Sequence, residues 1–125
     1  MADVFICHSE RDREVADQLA AFLLGIGRSV WWAPDPASDF DMTSIRASEL
    51  FAARVVIVLW SKAAFISPFM LHEAIAARDA NKALHVKTAD VHPAQIPVRR
   101  PNEPLFEATD FAQIAVALAP FLRRT

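Results

Sequence analysis

The segment Ser67-Pro68-Phe69-Met70-Leu71-His72-Glu73 holds the residues of this chain best placed for chemistry. Ser67 followed by Pro68 reads as a helix N-cap and first helical position. The serine oxygen can accept from a free N–H of the first turn, and proline has no N–H to lose there. Phe69 and Glu73 are four residues apart and share one helix face. The pair offers an anion for charge stabilisation beside a ring for stacking. The run Val55-Val56-Ile57-Val58-Leu59-Trp60 that precedes the segment reads as a buried central strand. A carboxylate one turn into a helix that follows such a strand lies near the ligand crevice of an open α/β sheet. A glutamate on a helix is otherwise usually a solvated surface residue, so the surrounding elements decide the matter.

Those elements alternate along the chain. Val4-Phe5-Ile6-Cys7 opens as a short buried strand. Val15, Leu19, Phe22, Leu23 and Ile26 repeat at helical spacing, and Gly25 and Gly27 supply a stop. Ser29-Val30-Trp31-Trp32 is a second strand, ended by Pro34 and Pro36. A polar loop runs to Met42, and a helix with a thin apolar face is expected over about residues 44–53. The third strand spans residues 55–60, and the helix from Pro68 ends near Asn81. Leu84-His85-Val86 is a fourth strand. Residues 89–104 are punctuated by prolines and irregular, and Leu105-Phe106 forms a short fifth strand. Asp110 and Gln113 fit a capping box. Phe111, Ile114, Ala115, Leu118 and Leu122 give a last apolar stripe, which Pro120 should kink or end.

Strand–helix alternation of this kind predicts an α/β fold, a parallel sheet with helices on both faces. Right-handed crossovers favour a flavodoxin-like open five-stranded sheet of order 2-1-3-4-5, with its switch point between strands one and three. The turn His8-Ser9-Glu10 and the segment Ser61 to Glu73 border that crevice. A carboxylate there is not core, so its loss should leave the fold intact.

Bulk properties narrow the function. The 125 residues suit one domain with a sizeable core, and a hydrophobic share of 54% argues against disorder. A formal charge of −2 provides no field to recruit nucleic acid. Cys7 is the only cysteine, so no internal disulfide forms, which is compatible with a reducing compartment. No apolar stretch is long enough to span a bilayer, and the N-terminus lacks the basic region of a signal peptide. A soluble cytoplasmic domain without membrane contact is expected. Strand one ends in Cys7-His8-Ser9 and strand three in Trp60-Ser61, so the acidic magnesium site of a receiver domain is missing. With two glycines in the chain there is no glycine-rich phosphate loop, and no Gly-x-Ser-x-Gly elbow occurs. His8, His72, His85 and His92 show no metal-ligand spacing. His85 on its strand reads as structural or solvent-facing.

Taken in order, the segments resemble a TIR (Toll/interleukin-1 receptor) domain of the bacterial NAD-cleaving type over nearly the whole chain. Asp3 to Ser9 is similar to the family's opening strand, and Val30-Trp31-Trp32 with its loop to strand two and the BB loop, Ala33 to Met42. Arg54 to Ser61 resembles strand three with its terminal serine. Ser67-x-Phe69-x-x-x-Glu73 is similar to the serine, aromatic and glutamate of enzymatic members. Two departures stand out: Phe69 takes the place of the usual tryptophan, and the BB-like loop has no glycine.

The resemblance implies an NAD+ glycohydrolase that cleaves the nicotinamide–ribose bond, or a non-enzymatic adaptor acting through contacts between TIR domains. A nucleoside deoxyribosyltransferase-like enzyme shares the fold and a glutamate, but the opening strand and the BB-like loop argue against it. In the enzymatic reading Glu73 is the catalytic residue. His8, Ser9, Trp32, Phe40, Ser67 and Phe69 are the implied substrate contacts, although Trp32 equally suits core packing and Glu10 is a poor partner for a pyrophosphate. No metal or cofactor is implied beyond NAD+ as substrate. The implied setting is a single domain over residues 1–125, activated by self-association or filament formation through Ala33 to Met42. A sensor domain fused beyond Thr125 and a role in bacterial antiviral defence complete that expectation.

Overall fold

The computed structural model describes residues 2–32, 42–101 and 103–123. Five strands form one parallel sheet: β1 (Val4–Cys7), β2 (Val30–Trp31), β3 (Val55–Trp60), β4 (Ala83–Lys87) and β5 (Leu105–Glu107). Their order is β2-β1-β3-β4-β5, as the sequence predicts. Val4 pairs with both Val30 and Val55, and Val58 with both Cys7 and His85, so β1 and β3 are central. All six residues of β3 are buried, which accounts for its unbroken apolar sequence.

Successive strand residues point to opposite faces, and the two faces carry separate cores. Val4, Ile6, Ile57, Leu59, Leu84 and Val86 face α1 (Arg13–Gly25) and α4 (Phe111–Leu122), which cover them with Leu19, Leu23, Ile114 and Leu118. Phe5, Cys7, Val56, Val58 and Trp60 face α2 (Met42–Ala52) and α3 (Pro68–Asp79), represented by Leu50, Met70, Ala74 and Ala77. Val91, Ile96 and Val98 of the proline-punctuated stretch complete that second core.

Local chemistry sets the helix ends. At the C-terminus of α1, Gly27 adopts φ +87°, and the amides of Gly27 and Arg28 donate to Leu24 and Leu23 carbonyls at 3.1 and 3.0 Å. Asn81 plays the same part after α3 at φ 57°, with Lys82 N–H donating to the Ala77 carbonyl at 3.1 Å. Ser67 caps α3 by accepting from the Met70 amide at 3.3 Å, with Pro68 at the first position. Asp110 accepts from the Gln113 amide at 3.3 Å at the start of α4. Pro120 lies inside the last turn of α4, which ends two residues later at Leu122. The fourth strand is longer than its sequence pattern indicates and is buried throughout.

Candidate functional site

Glu73 projects from the second turn of α3 to the C-terminal end of β1. Cys7, the last residue of β1, donates its S–H to Glu73 Oε1 at 3.2 Å. Because β1 and β3 flank the switch point of the sheet, the carboxylate lies beside the crevice.

The carboxylate is not open, however. Glu73 is 8% exposed and takes a bidentate bond from Arg46 of α2: Nη2 to Oε1 at 2.7 Å and Nε to Oε2 at 2.9 Å. Arg46 is itself 3% exposed. Its guanidinium carbon lies 5.3 Å from the centroid of Phe5, 5.5 Å from Trp31 and 5.4 Å from Phe69, so three rings line the cation. This corrects the expectation that Glu73 stands apart from the core. It is half of a buried ion pair, and removing it leaves a charge in an apolar setting. Burial foremost, then the charge and hydrogen bond of Glu73, pushes the Cys7 thiol well above its ordinary range, with Arg46 opposing.

The other expected residues divide between neighbouring positions. Phe69 is partly exposed and meets Glu73 through their shared partner Arg46. Ser67 is engaged as the helix cap. His8 is half-buried, with Nδ1 bonded to the Ser9 carbonyl at 2.8 Å and Nε2 buried without a protein partner among the described residues. Burial foremost lowers its affinity for a proton; the Ser9 bond opposes this and the Arg46 charge adds to it. Ser9 is buried and donates to Asp12 Oδ2 at 2.6 Å. Ser61 donates to the same oxygen and accepts from the Ala64 amide at 3.1 Å. Asp12 thus ties together the ends of β1 and β3.

Trp32 is not brought to Glu73. It packs on the α1 side of the sheet, and its Nε1 donates to Asp17 at 2.7 Å. Strand alternation is the reason: Trp31, one residue earlier, points to the Glu73 side and stacks on Phe5 with centroids 5.0 Å apart. Phe40 and most of the BB-like loop, at residues 33–41, lie outside the described residues.

A groove of about 610 Å³ runs between α2 and α3 next to Glu73, lined by Ala47, Leu50, Phe51, Phe69 and His72 among others. Lys82 closes one end and caps α2, donating to the carbonyls of Leu50, Phe51 and Ala53 at 2.6, 3.0 and 2.9 Å. Among the described residues, no three His, Cys, Asp or Glu are grouped to hold a metal ion, and no helix is long and apolar enough to cross a membrane.

Sequence reasoning missed Arg46, Trp31, Asp12 and the place of Cys7. Arg46 left one signal: it lies four residues before Leu50, on the stripe that α2 turns to the sheet, where a charge needs a partner.

A five-stranded parallel sheet in this order, with a carboxylate at its switch point, defines an open α/β domain. Residues 4–118 match the family model described as TIR domain, and the chain belongs to that family. Among solved structures it is similar to the TIR domain of the Toll-related receptor TRR-2 from Hydra magnipapillata. The TM-score is 0.70 at 18% identity, covering 98% of this chain and 97% of that one, a likeness of fold. No curated protein matches the sequence.

Proposed function

We propose that this TIR domain cleaves NAD+ at the bond between nicotinamide and ribose, with Glu73 as the catalytic residue. The observation that supports it is the meeting of Phe69 and Glu73 with the C-terminal end of β1, where Cys7 touches the carboxylate at 3.2 Å. One carboxylate suits this reaction. A glycosidase generally needs a second carboxyl group to protonate the leaving oxygen. Nicotinamide is cationic in NAD+ and departs neutral, so the remaining task is to stabilise the cationic ribosyl centre. Phe69 offers a face for stacking, and Trp31 replaces Trp32 as the tryptophan on the Glu73 side. His8, Ser9 and Ser67 border the same end of the sheet. Water as acceptor gives ADP-ribose; a ring atom of adenine or a ribose oxygen gives a cyclic product. The reaction needs no Lewis acid, so chelator treatment leaves it intact in this reading.

The wider setting is proposed on family likeness: a cytoplasmic effector, in bacterial antiviral defence, driven by self-association through residues 33–42 and by a fused sensor. A second reading, an adaptor that only binds other TIR domains, is favoured by one observation. Glu73 is enclosed and neutralised by Arg46. Incubating the purified chain with NAD+ and separating nicotinamide, ADP-ribose and cyclic product decides between them. Glu73-dependent nicotinamide release supports the enzyme; none at any protein concentration supports the adaptor.

A further inference from the structure

The Arg46–Glu73 pair does two things at once. It neutralises the one carboxylate the proposed reaction needs, and it fastens α2 to the rest of the domain. On the first count, both Glu73 oxygens are occupied: Oε1 takes Arg46 Nη2 and the Cys7 thiol, and Oε2 takes Arg46 Nε. A cationic ribosyl centre brought to this carboxylate meets an ion pair of no net charge, with a guanidinium bonded to the very oxygens that would stabilise it. On the second count, α2 is thinly seated. Among residues 44–52 only Arg46 and Leu50 are buried, and Phe51 is 86% exposed. Lys82 and Leu50 hold the C-terminal end of the helix, and Arg46 is the buried tie among residues 44–49. The three rings around the cation, Phe5, Trp31 and Phe69, make a pocket that the guanidinium fills while seated.

We propose that Arg46 gates the site: it latches α2 onto Glu73 and holds the carboxylate neutralised, and the active form is one in which α2 has shifted and the pair is broken. The proposal rests on the NAD-cleaving reading for its catalytic half, and on geometry alone for the latch. Only the fraction of molecules with the latch open turns over, so the closed pair lowers the apparent rate by that fraction. A bound neighbour or ligand that favours the shifted α2 raises the rate without supplying a catalytic group.

Two readouts on Arg46→Met test this in the full chain. Methionine fills apolar space and cannot bridge the carboxylate. Amide hydrogen exchange in α2 is expected to quicken at least ten-fold and to stay faster than exchange in β3, whose amides open only with the whole domain. Nicotinamide release at low protein concentration and subsaturating NAD+ is expected to gain at least ten-fold in kcat/KM. Arg46→Lys, a point charge that cannot make the bidentate contact, falls between parent and Met variant on both readouts. It decides the question alone if the Met variant does not fold. Unchanged α2 exchange overturns the latch. Faster α2 exchange with a reduced kcat/KM, in a chain whose parent cleaves NAD+ through Glu73, overturns the gate and makes Arg46 a residue that positions the carboxylate. Faster α2 exchange with no nicotinamide from any form at any concentration supports the latch and removes the NAD-cleaving reading instead.

Discussion

Removing one member of the Arg46–Glu73 pair should cost far more stability than removing both. The two side chains are 4% and 10% exposed and 2.7 Å apart, which places the pair among buried salt bridges. Breaking such a pair from one side costs about 3–5 kcal/mol, because the surviving charge stays in a low-dielectric setting with its hydrogen bonds lost. Replacing both partners with apolar groups of similar volume is close to neutral or stabilising by about 1–4 kcal/mol. Glu73→Leu therefore leaves the Arg46 guanidinium among Phe5, Trp31 and Phe69 with no anion, and Arg46→Met leaves the Glu73 carboxylate with only the Cys7 thiol. With an m-value of about 2 kcal/mol per molar urea, a loss of about 4 kcal/mol moves the unfolding midpoint down by about 2 M. The double variant Arg46→Met with Glu73→Leu should return to within about 1 kcal/mol of the parent or exceed it, giving a coupling of about 5 kcal/mol or more. Urea titrations followed by tryptophan fluorescence and far-UV circular dichroism measure the cycle. Single variants within about 0.5 kcal/mol of the parent, the range of an ordinary surface substitution, would refute the pair as a buried, formed interaction.

Other outcomes follow from the same structure. Because burial and Glu73 push the Cys7 thiol well above its ordinary range, an alkylating reagent should label it only as fast as the domain opens, and rapid stoichiometric labelling of the native chain at pH 8 would contradict its place in the core. His85 is fully buried, accepts from Trp60 Nε1 at 3.1 Å, and is pushed below its ordinary value of 6.5 by burial, with Glu103 opposing. The unfolded chain then takes up a proton first as pH falls. His85 should therefore add no pH dependence well above 6.5 and should erode stability as pH drops from 6.5 toward its lower folded value. His8 acts in the same direction, so His85→Gln should flatten part of that slope, and an unchanged slope counts against a neutral buried His85. If assembly through residues 33–42 drives activity, specific activity should climb with protein concentration and collapse in a folded Phe40→Asp variant; flat dependence at nanomolar monomer removes any assembly role.

The fold was legible because its signals are local. The unbroken apolar run of residues 55–60 matches a strand buried on both faces, and Ser67-Pro68 caps α3 as the pair of residue types requires. The Gly25 and Gly27 stop ends α1 where the spacing places it. What sequence could not supply was partnership across the sheet. Glu73 on α3, Arg46 on α2 and Cys7 on β1 are separated by 27 and 66 residues along the chain, and nothing in their local spacing joins them. Trp31 and Trp32 are adjacent and chemically identical, so choosing the one beside Glu73 requires the strand's register, which is fixed by its pairing with Val4 and Phe5. The short turn at Glu10–Asp12 was missed for a similar reason: Asp12 is held by Ser9 nearby but also by Ser61, 49 residues on.

The most direct test of the account compares nicotinamide release from NAD+ by the parent chain and by Glu73→Gln, at matched protein concentrations up to the highest at which both remain folded. Glutamine keeps the size of the side chain, can still accept a bond from Arg46, and removes the charge that the reaction needs. Measurable release by the parent that rises with concentration is expected, with a fall of about 10²–10⁴-fold in the variant, the range for loss of one catalytic group. Release by the folded Gln variant at near the parental rate would contradict it.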